Sequence, residues 1–100
     1  MSYLLSSEEF EKGGGGTIAI TTGTAYSTKK LYMLRVDADA VFDNLEINGA
    51  AVNVRTSYLD SAGATVSAGT WIIAGEENYF SKVDLASGKV TGFKLPSNLQ

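Results

Sequence analysis

The sequence predicts a small all-β domain, an antiparallel β-sandwich or barrel-like sheet with a short N-terminal arm. Three observations predict it: apolar and polar residues alternate with period two after residue 16, turn residues separate short strand-like runs, and no helix longer than the arm could supply is indicated. The 100 residues suffice for one domain. We place the arm and a glycine hinge at residues 1–16 and the β-domain at residues 17–100.

The arm is set apart by four consecutive glycines, Gly13 to Gly16. Such a run costs too much backbone entropy inside a regular element, so it predicts a flexible hinge. Ahead of it, Ser6 with Glu9 three residues later matches a capping box. A helix this short is marginal on its own. Residues 1–16 are therefore interpreted as an anchoring segment, a swapped segment or a frayed terminus.

The first strands are predicted at residues 17–22, 31–36 and 41–47, with a polar break at 37–39. Ile18 and Ile20 alternate with threonine and alanine in the first of them. Asn48-Gly49 follows the third, and both residues tolerate positive φ, which predicts a β-hairpin with a return strand at residues 51–58.

Three further strands complete a total of about seven. Residues 70–74 form the most apolar run, which predicts the most buried strand. Residues 79–85 and 89–95 are predicted to pair as a hairpin across residues 86–88.

The absence of histidine and cysteine argues against an enzyme. The commonest general base, nucleophile activator and thiolate ligand are all missing, so no cofactor or metal is expected. Asp37 and Asp39 could supply oxygen ligands to calcium, but a solvated break between strands is the better interpretation. Glu76 and Glu77 are likewise interpreted as a solvated loop and not as a glycosidase pair.

Charge and hydropathy argue against nucleic-acid and membrane partners. The formal net charge is −3 and the basic residues are scattered, so no nucleic-acid footprint is expected. No run approaches the ~18 apolar residues of a membrane helix. Residues 1–5 lack the basic region and the longer apolar run of a secretory signal.

The aromatic residues offer the remaining binding candidates. Trp71 lies in the most apolar run, which favours the core or a subunit interface. Tyr26 and Tyr79 lie next to turns and are better candidates for an exposed surface that stacks on a glycan.

Three segments, residues 41–49 (VFDNLEING), 66–75 (VSAGTWIIAG) and 80–93 (FSKVDLASGKVTGF), resemble in their order the small β-domains of tailed-bacteriophage head-fibre and capsid-decoration (cement) proteins. The resemblance covers about residues 30–95 and consists mostly of turn chemistry. It implies a homotrimer whose N-terminal segment contacts the major capsid protein, with no catalytic residues. The expected partner-binding residues are then Phe10, Gly13, Gly14, Gly15, Gly16 and Trp71.

The resulting functional expectation is a structural virion protein on the capsid surface, made in the host cytoplasm. Oligomerisation would add burial to a small domain with a modest core. Two alternatives stay open: a tail, baseplate or neck component of a phage, and a carbohydrate-binding adhesion module.

Overall fold

The computed structural model describes residues 15–59 and 61–100. Their elements, in chain order, are β1 (Thr17–Thr21), β2 (Leu31–Ile47), α1 (Arg55–Tyr58), β3 (Thr65–Val66), β4 (Trp71–Ile73), β5 (Phe80–Lys94) and a 3-10 helix (Ser97–Leu99). The expected all-β fold is confirmed. The interpretation of the arm over residues 1–14 lies outside the described residues.

The strands form one antiparallel sheet in the order β1-β5-β2-β3, and β4 also pairs with β2. In the long β2–β5 pair the partner numbers fall as the residue numbers rise, from Met33 opposite Phe93 to Glu46 opposite Lys82. β3 and β4 lie one after the other along the same side of β2. The sheet therefore has β1 at one edge and the β3–β4 segment at the other.

The sheet is folded over on itself near its middle. A straight strand as long as β2, which has 17 residues, would span roughly 56 Å at about 3.3 Å per residue, whereas the longest dimension of the molecule is 34 Å. Leu31 at the start of β2 pairs with Lys94 at one end of β5 and also with Phe80 at the other. The β2–β5 ribbon therefore bends back so that its two halves enclose the core.

Glycines permit the close approach at this bend. Gly88 has a φ of +89°, and a Cβ built on it would lie only 2.6 Å from the Ala40 Cα. Opposite it, residues 37–39 of β2 are exposed and small or acidic. The polar break predicted between two strands is therefore the bend within one continuous strand.

The core lies between the two halves of the ribbon. Phe42, Phe80, Leu34 and Leu45 are its largest fully buried members along with Leu31. The whole cluster comprises Ile20, Leu31, Leu34, Val36, Ala40, Phe42, Leu45, Ile72, Ala74, Phe80, Val83, Leu85 and Val90. Most of these residues come from both halves of β2 and β5, and Ile20, Ile72 and Ala74 come from β1, β4 and the residue after β4. Folding the ribbon is therefore what brings most of the core together.

The predicted return strand at residues 51–58 is wrong. The Asn48-Gly49 turn does form, with φ of 57° and 77°, and Ala50 N–H donates to Ile47 O at 3.0 Å. Beyond it, one backbone bond of the expected ladder remains, from Val54 N–H to Leu45 O at 2.7 Å, and side chains replace the rest. The Asn53 amide bonds both Leu45 N–H and Asp43 O, and the Arg55 guanidinium donates to the carbonyls of Phe42 and Asp43 at 2.9 Å each.

The predicted hairpin of residues 79–85 with 89–95 is also wrong. Both runs belong to β5, and each half pairs with β2, as Leu85 does with Phe42 and Val90 with Val36. Residues 86–88 are thus a bend in one strand and not a turn between two. A hairpin turn and a sharp bend within one strand give the same sequence pattern, because both need a glycine.

Candidate functional site

One outward face of the sheet carries an unusual set of apolar side chains. Register places two transverse rows on this face, running from β1 through β5 and β2 to β4. The rows are Thr17, Phe93, Met33 and Ile73, and Ala19, Thr91, Arg35 and Trp71. Leu34 and Ile72, which alternate with these residues, point into the core and are buried.

The rings on this face lie close together. The ring centroids of Trp71 and Phe93 are 5.6 Å apart, and those of Tyr32 and Phe93 are 6.3 Å apart. The register of the β2–β5 pair shifts between Leu31 and Met33, at Tyr32, so simple alternation does not hold there. The Arg35 guanidinium carbon is 5.8 Å from the Trp71 centroid and 5.7 Å from that of Phe93. We call Tyr32, Arg35, Trp71, Ile73 and Phe93 the aromatic surface.

The aromatic surface is open to solvent at its β4 side. Trp71 is 50% exposed and Ile73 is 62% exposed. The expectation that residues 70–74 form the most buried strand is therefore wrong, since only Ile72 and Ala74 of this run are buried. The reason is position: alternation turns Trp71 and Ile73 to the outward face, and at the edge β4 has a neighbouring strand on one side only among the described residues.

Met33 anchors the aromatic surface from beneath. It is 6% exposed yet lies outside the main core cluster. Its register neighbours are Ile73 and Phe93, so its burial comes from the outward face. Met33 thus adds buried apolar surface between Ile73 and Phe93 in this row. Burial also raises the pKa of the Tyr32 hydroxyl.

An ion pair holds Arg35 beside the rings. Arg35 Nε lies 2.9 Å from Asp37 Oδ1, and Arg35 Nη2 donates to Thr91 Oγ1 at 3.3 Å. The Thr91 hydroxyl in turn donates to Asp37 Oδ2. The pKa of the Asp37 carboxyl is lowered, first by the hydrogen bond from Thr91 and then by Arg35. These bonds hold the Arg35 guanidinium in one orientation, so that its planar group is preorganised for contact with a binding partner.

The outer edge of β4 is also open among the described residues. Val36 N–H donates to Thr70 O, and Ala74 N–H donates to Tyr32 O. Antiparallel ladders alternate between bonded and non-bonded pairs, so Trp71 and Ile73 direct their backbone N–H and C=O groups away from β2. No other described strand pairs with β4. A row of apolar side chains thus borders a row of available backbone groups.

Two glycines of the predicted hinge are part of the sheet. Gly15 N–H donates to Lys94 O at 3.0 Å, and Lys94 N–H donates to Gly16 O at 2.8 Å. A Cβ on Gly15 would overlap the Leu95 carbonyl oxygen. Gly15 and Gly16 are therefore hydrogen-bonded to Lys94 of β5 just ahead of β1, at positions where the sequence predicts a flexible hinge. Phe10, Gly13 and Gly14 lie outside the described residues.

Tyr26 and Tyr79 lie away from the aromatic surface. Tyr26 forms a backbone bridge with Val83, and burial raises the pKa of its hydroxyl. Tyr79 lines an open cavity of about 390 Å³, and the Lys30 ammonium lies 4.8 Å from its ring centroid. Tyr26 and Tyr79 line two different cavities.

Carboxylates are not assembled into a metal centre in the described part of the chain. Within residues 15–59 and 61–100, no three Asp, Glu, His or Cys side chains lie close enough to hold an ion. Asp37 bonds Arg35 and Thr91, and Asp39 accepts a hydrogen bond from Ala68 N–H. The carboxylates of Asp37 and Asp39 therefore make hydrogen bonds at the bend of β2 and to residues beside it.

Sequence reasoning identified Trp71 but missed the rest of the aromatic surface. The signal is nevertheless present: Trp71-Ile72-Ile73 is apolar on both faces, and Met33 and Phe93 break the expected polar alternation. A half-buried strand with one solvated face should show polar residues at these positions.

Comparisons with known proteins assign no relative. No protein-family model, no curated protein and no solved structure matches the chain. In residues 15–59 and 61–100 we find no helix of the length and apolarity required to cross a bilayer. The functional argument therefore begins from the aromatic surface.

Proposed function

We propose that this chain is a structural virion protein that decorates or cements a bacteriophage capsid by binding the shell as an oligomer. The observation that carries the proposal is the exposed aromatic surface around Trp71. Its role is binding without catalysis, since the sequence holds no histidine or cysteine.

The composition of the surface supports protein binding. Tryptophan, tyrosine and arginine are the residues that most often dominate binding energy at protein interfaces. Trp71, Arg35 and Tyr32 occur together here on strands, each close to the Phe93 ring. Rigid aromatic anchors lose little conformational entropy on binding, which favours affinity.

The virion setting rests on the resemblance of residues 41–49, 66–75 and 80–93 to capsid-decoration and head-fibre domains. A repeating shell suits a small binding surface, because many copies convert weak single contacts into firm attachment. The partner is then the major capsid protein, and the chain, made in the host cytoplasm, ends on the capsid surface. A homotrimer would cover part of the exposed apolar area of each copy.

Purified virus particles provide the test. The particles that accompany this chain in its source culture are banded by density, and their proteins are quantified by mass spectrometry. We expect this chain in many copies, in a fixed ratio to the major capsid protein. Cryo-electron microscopy with a labelled antibody against the chain is expected to mark the capsid surface. A chain missing from the particles would overturn the proposal, and label confined to the tail would favour a tail, baseplate or neck component.

A carbohydrate-binding module is the second candidate. The observation that favours it is the half-exposed Trp71 ring beside the polar groups of Arg35, Asp37 and Thr91. A sugar ring stacks on an aromatic face while its hydroxyls bond neighbouring polar groups. Glycan-array binding that is lost in Trp71→Ala would support this candidate over shell binding.

A further inference from the structure

We propose that the cavity beside Tyr79 binds an oxyanion of the phosphate or sulfate type, held by Lys30 and by the hydroxyl groups around it. This Tyr79 cavity shares no lining residue with the aromatic surface, so the inference is independent of the proposed function. Its volume of about 390 Å³ lies at the lower end of the roughly 300–1,000 Å³ that small-molecule sites occupy. The cavity therefore has room for the anion together with a small carrier such as a sugar.

A mismatch in length between two paired segments creates the Tyr79 cavity. Tyr26 lies opposite Val83 in an isolated bridge, and Leu31 lies opposite Phe80. Between these two pairs, one segment has four residues, 27–30, whereas β5 has only two. The longer segment must therefore bow away from β5, as the longer side of a β-bulge does.

The bowed segment presents hydrogen-bond donors and positive charge. Ser27, Thr28, Lys29 and Lys30 all line the cavity, and no Asp or Glu among the described residues lines it. Neither lysine forms an ion pair with another residue of 15–59 and 61–100. An ammonium group only donates hydrogen bonds, and a hydroxyl group can donate one. Such a wall suits a ligand that is negatively charged and accepts hydrogen bonds, as the oxygens of phosphate and sulfate do.

Ser81 adds a hydroxyl group from the β5 side of the cavity. It lines the cavity, and its hydroxyl oxygen is buried without a hydrogen-bond partner among the described residues. Buried polar groups are nearly always paired, so this exception on the wall of a donor-lined cavity points to a ligand. Rotation of the Ser81 side chain about χ1 lets the hydroxyl donate to an oxygen of the bound anion.

Neighbouring contacts hold Lys30 at the cavity. Its ammonium lies 4.8 Å from the Tyr79 ring centroid, which is a cation–π contact. The Gln100 side-chain amide accepts from Lys30 N–H at 2.7 Å and donates to Lys30 O at 3.0 Å. Leu95 N–H donates to the same carbonyl at 3.0 Å. The backbone and the side chain of Lys30 are thus both held, so binding an anion loses little further conformational entropy.

An NMR titration of the full-length chain tests the site. Correlation spectra of the ¹⁵N-labelled chain are recorded with sodium phosphate, with sodium sulfate, and with sodium chloride at equal ionic strength as the screening control. We expect phosphate or sulfate to shift the amide signals of residues 27–30 and 79–81 saturably, and chloride to leave them in place. Lys30→Gln should weaken binding roughly 10-fold, because a charge-assisted hydrogen bond is lost. Lys89→Gln removes the same charge at the bend, opposite Ala38, and should bind as wild type does.

Ser81→Ala separates binding from folding. Because the Ser81 hydroxyl has no partner among the described residues, its loss should not lower the free energy of unfolding, yet affinity for phosphate should fall several-fold. Glucose 6-phosphate and glucose identify the source of the anion. Tighter binding of glucose 6-phosphate than of inorganic phosphate indicates a sugar phosphate, and equal binding indicates the free anion.

Three results would overturn the inference. One is the lack of a saturable shift at residues 27–30 with either anion, and another is an equal shift with chloride. The third is equal weakening of phosphate binding by Lys30→Gln and Lys89→Gln. Ser81→Ala with wild-type affinity would remove Ser81 from the site. None of these results bears on the composition of virus particles, which tests the proposed function separately.

Discussion

We expect Gly88→Ala to destabilise the fold by about 2–5 kcal/mol. The φ of Gly88 is +89°, and holding an L-residue in a left-handed conformation costs roughly 1–2 kcal/mol. A Cβ there would lie 2.6 Å from the Ala40 Cα and 2.7 Å from its Cβ, and closer still to the Asp39 carbonyl oxygen. Because backbone atoms yield little, overpacking adds about 1–3 kcal/mol.

Gly69→Ala separates the two contributions. Its φ is +91°, nearly that of Gly88, yet a Cβ on Gly69 meets nothing within 4 Å. This variant should therefore lose only the conformational part, roughly 1–2 kcal/mol. Urea unfolding followed by circular dichroism gives both free energies by linear extrapolation. Equal losses for the two variants would refute the claim that the ribbon is folded tightly at Gly88.

Three further perturbations probe the core, the β2 edge and the aromatic surface. Phe42→Ala should cost about 3–5 kcal/mol in the free energy of unfolding, because it empties a fully buried site; a loss below about 1 kcal/mol in urea unfolding would contradict the core assignment. Asn53→Ala should strip Leu45 N–H of its partner and cost roughly 1–3 kcal/mol; unchanged hydrogen exchange at Leu45 would contradict this. Thr91→Val should raise the pKa of Asp37, measured by NMR titration, since the Thr91 hydroxyl contributes most to lowering it. The folded-state pKa of Asp37 is lowered, so its carboxylate stabilises the fold at pH values above the ordinary pKa of an aspartate. This contribution is lost as the pH falls through the folded-state pKa. An unchanged titration in Thr91→Val would contradict the hydrogen-bond assignment.

The all-β class was predictable because period-two alternation survives in most strands. Ile18 and Ile20 alternate with exposed residues in β1, as the sequence indicates. Turn chemistry was also read correctly where it is local, as in the positive φ of Asn48 and Gly49. Both signals depend on neighbouring residues alone.

Pairing between distant residues was not predictable. A bend at Gly88 inside β5 and a turn between two strands share one local pattern, and only the partner strand distinguishes them. The Asn53 side-chain amide makes hydrogen bonds with backbone groups of Leu45 and Asp43 in β2, where a return strand was expected. No local sequence pattern indicates that a side chain takes this place.

Burial of β4 was misjudged because hydropathy does not report position in a sheet. Trp71 and Ile73 are apolar, which favours the interior, yet within residues 15–59 and 61–100 β4 pairs on one side only. Phe93 and Arg35 are distant from Trp71 in sequence, and only the strand register brings them beside it to form the aromatic surface.

Trp71→Ala tests the central claim, that the aromatic surface binds the partner, most directly. Binding of the purified chain to particles stripped of their resident copies is measured by co-sedimentation for wild type, Trp71→Ala and the control Val52→Ala, since Val52 is a similarly exposed apolar residue. Truncating a dominant interface residue costs about 2 kcal/mol or more, so we expect Trp71→Ala to bind roughly 30-fold more weakly at 1.4 kcal/mol per decade. Val52→Ala is expected to bind as wild type does. Equal binding by Trp71→Ala and wild type would contradict the claim.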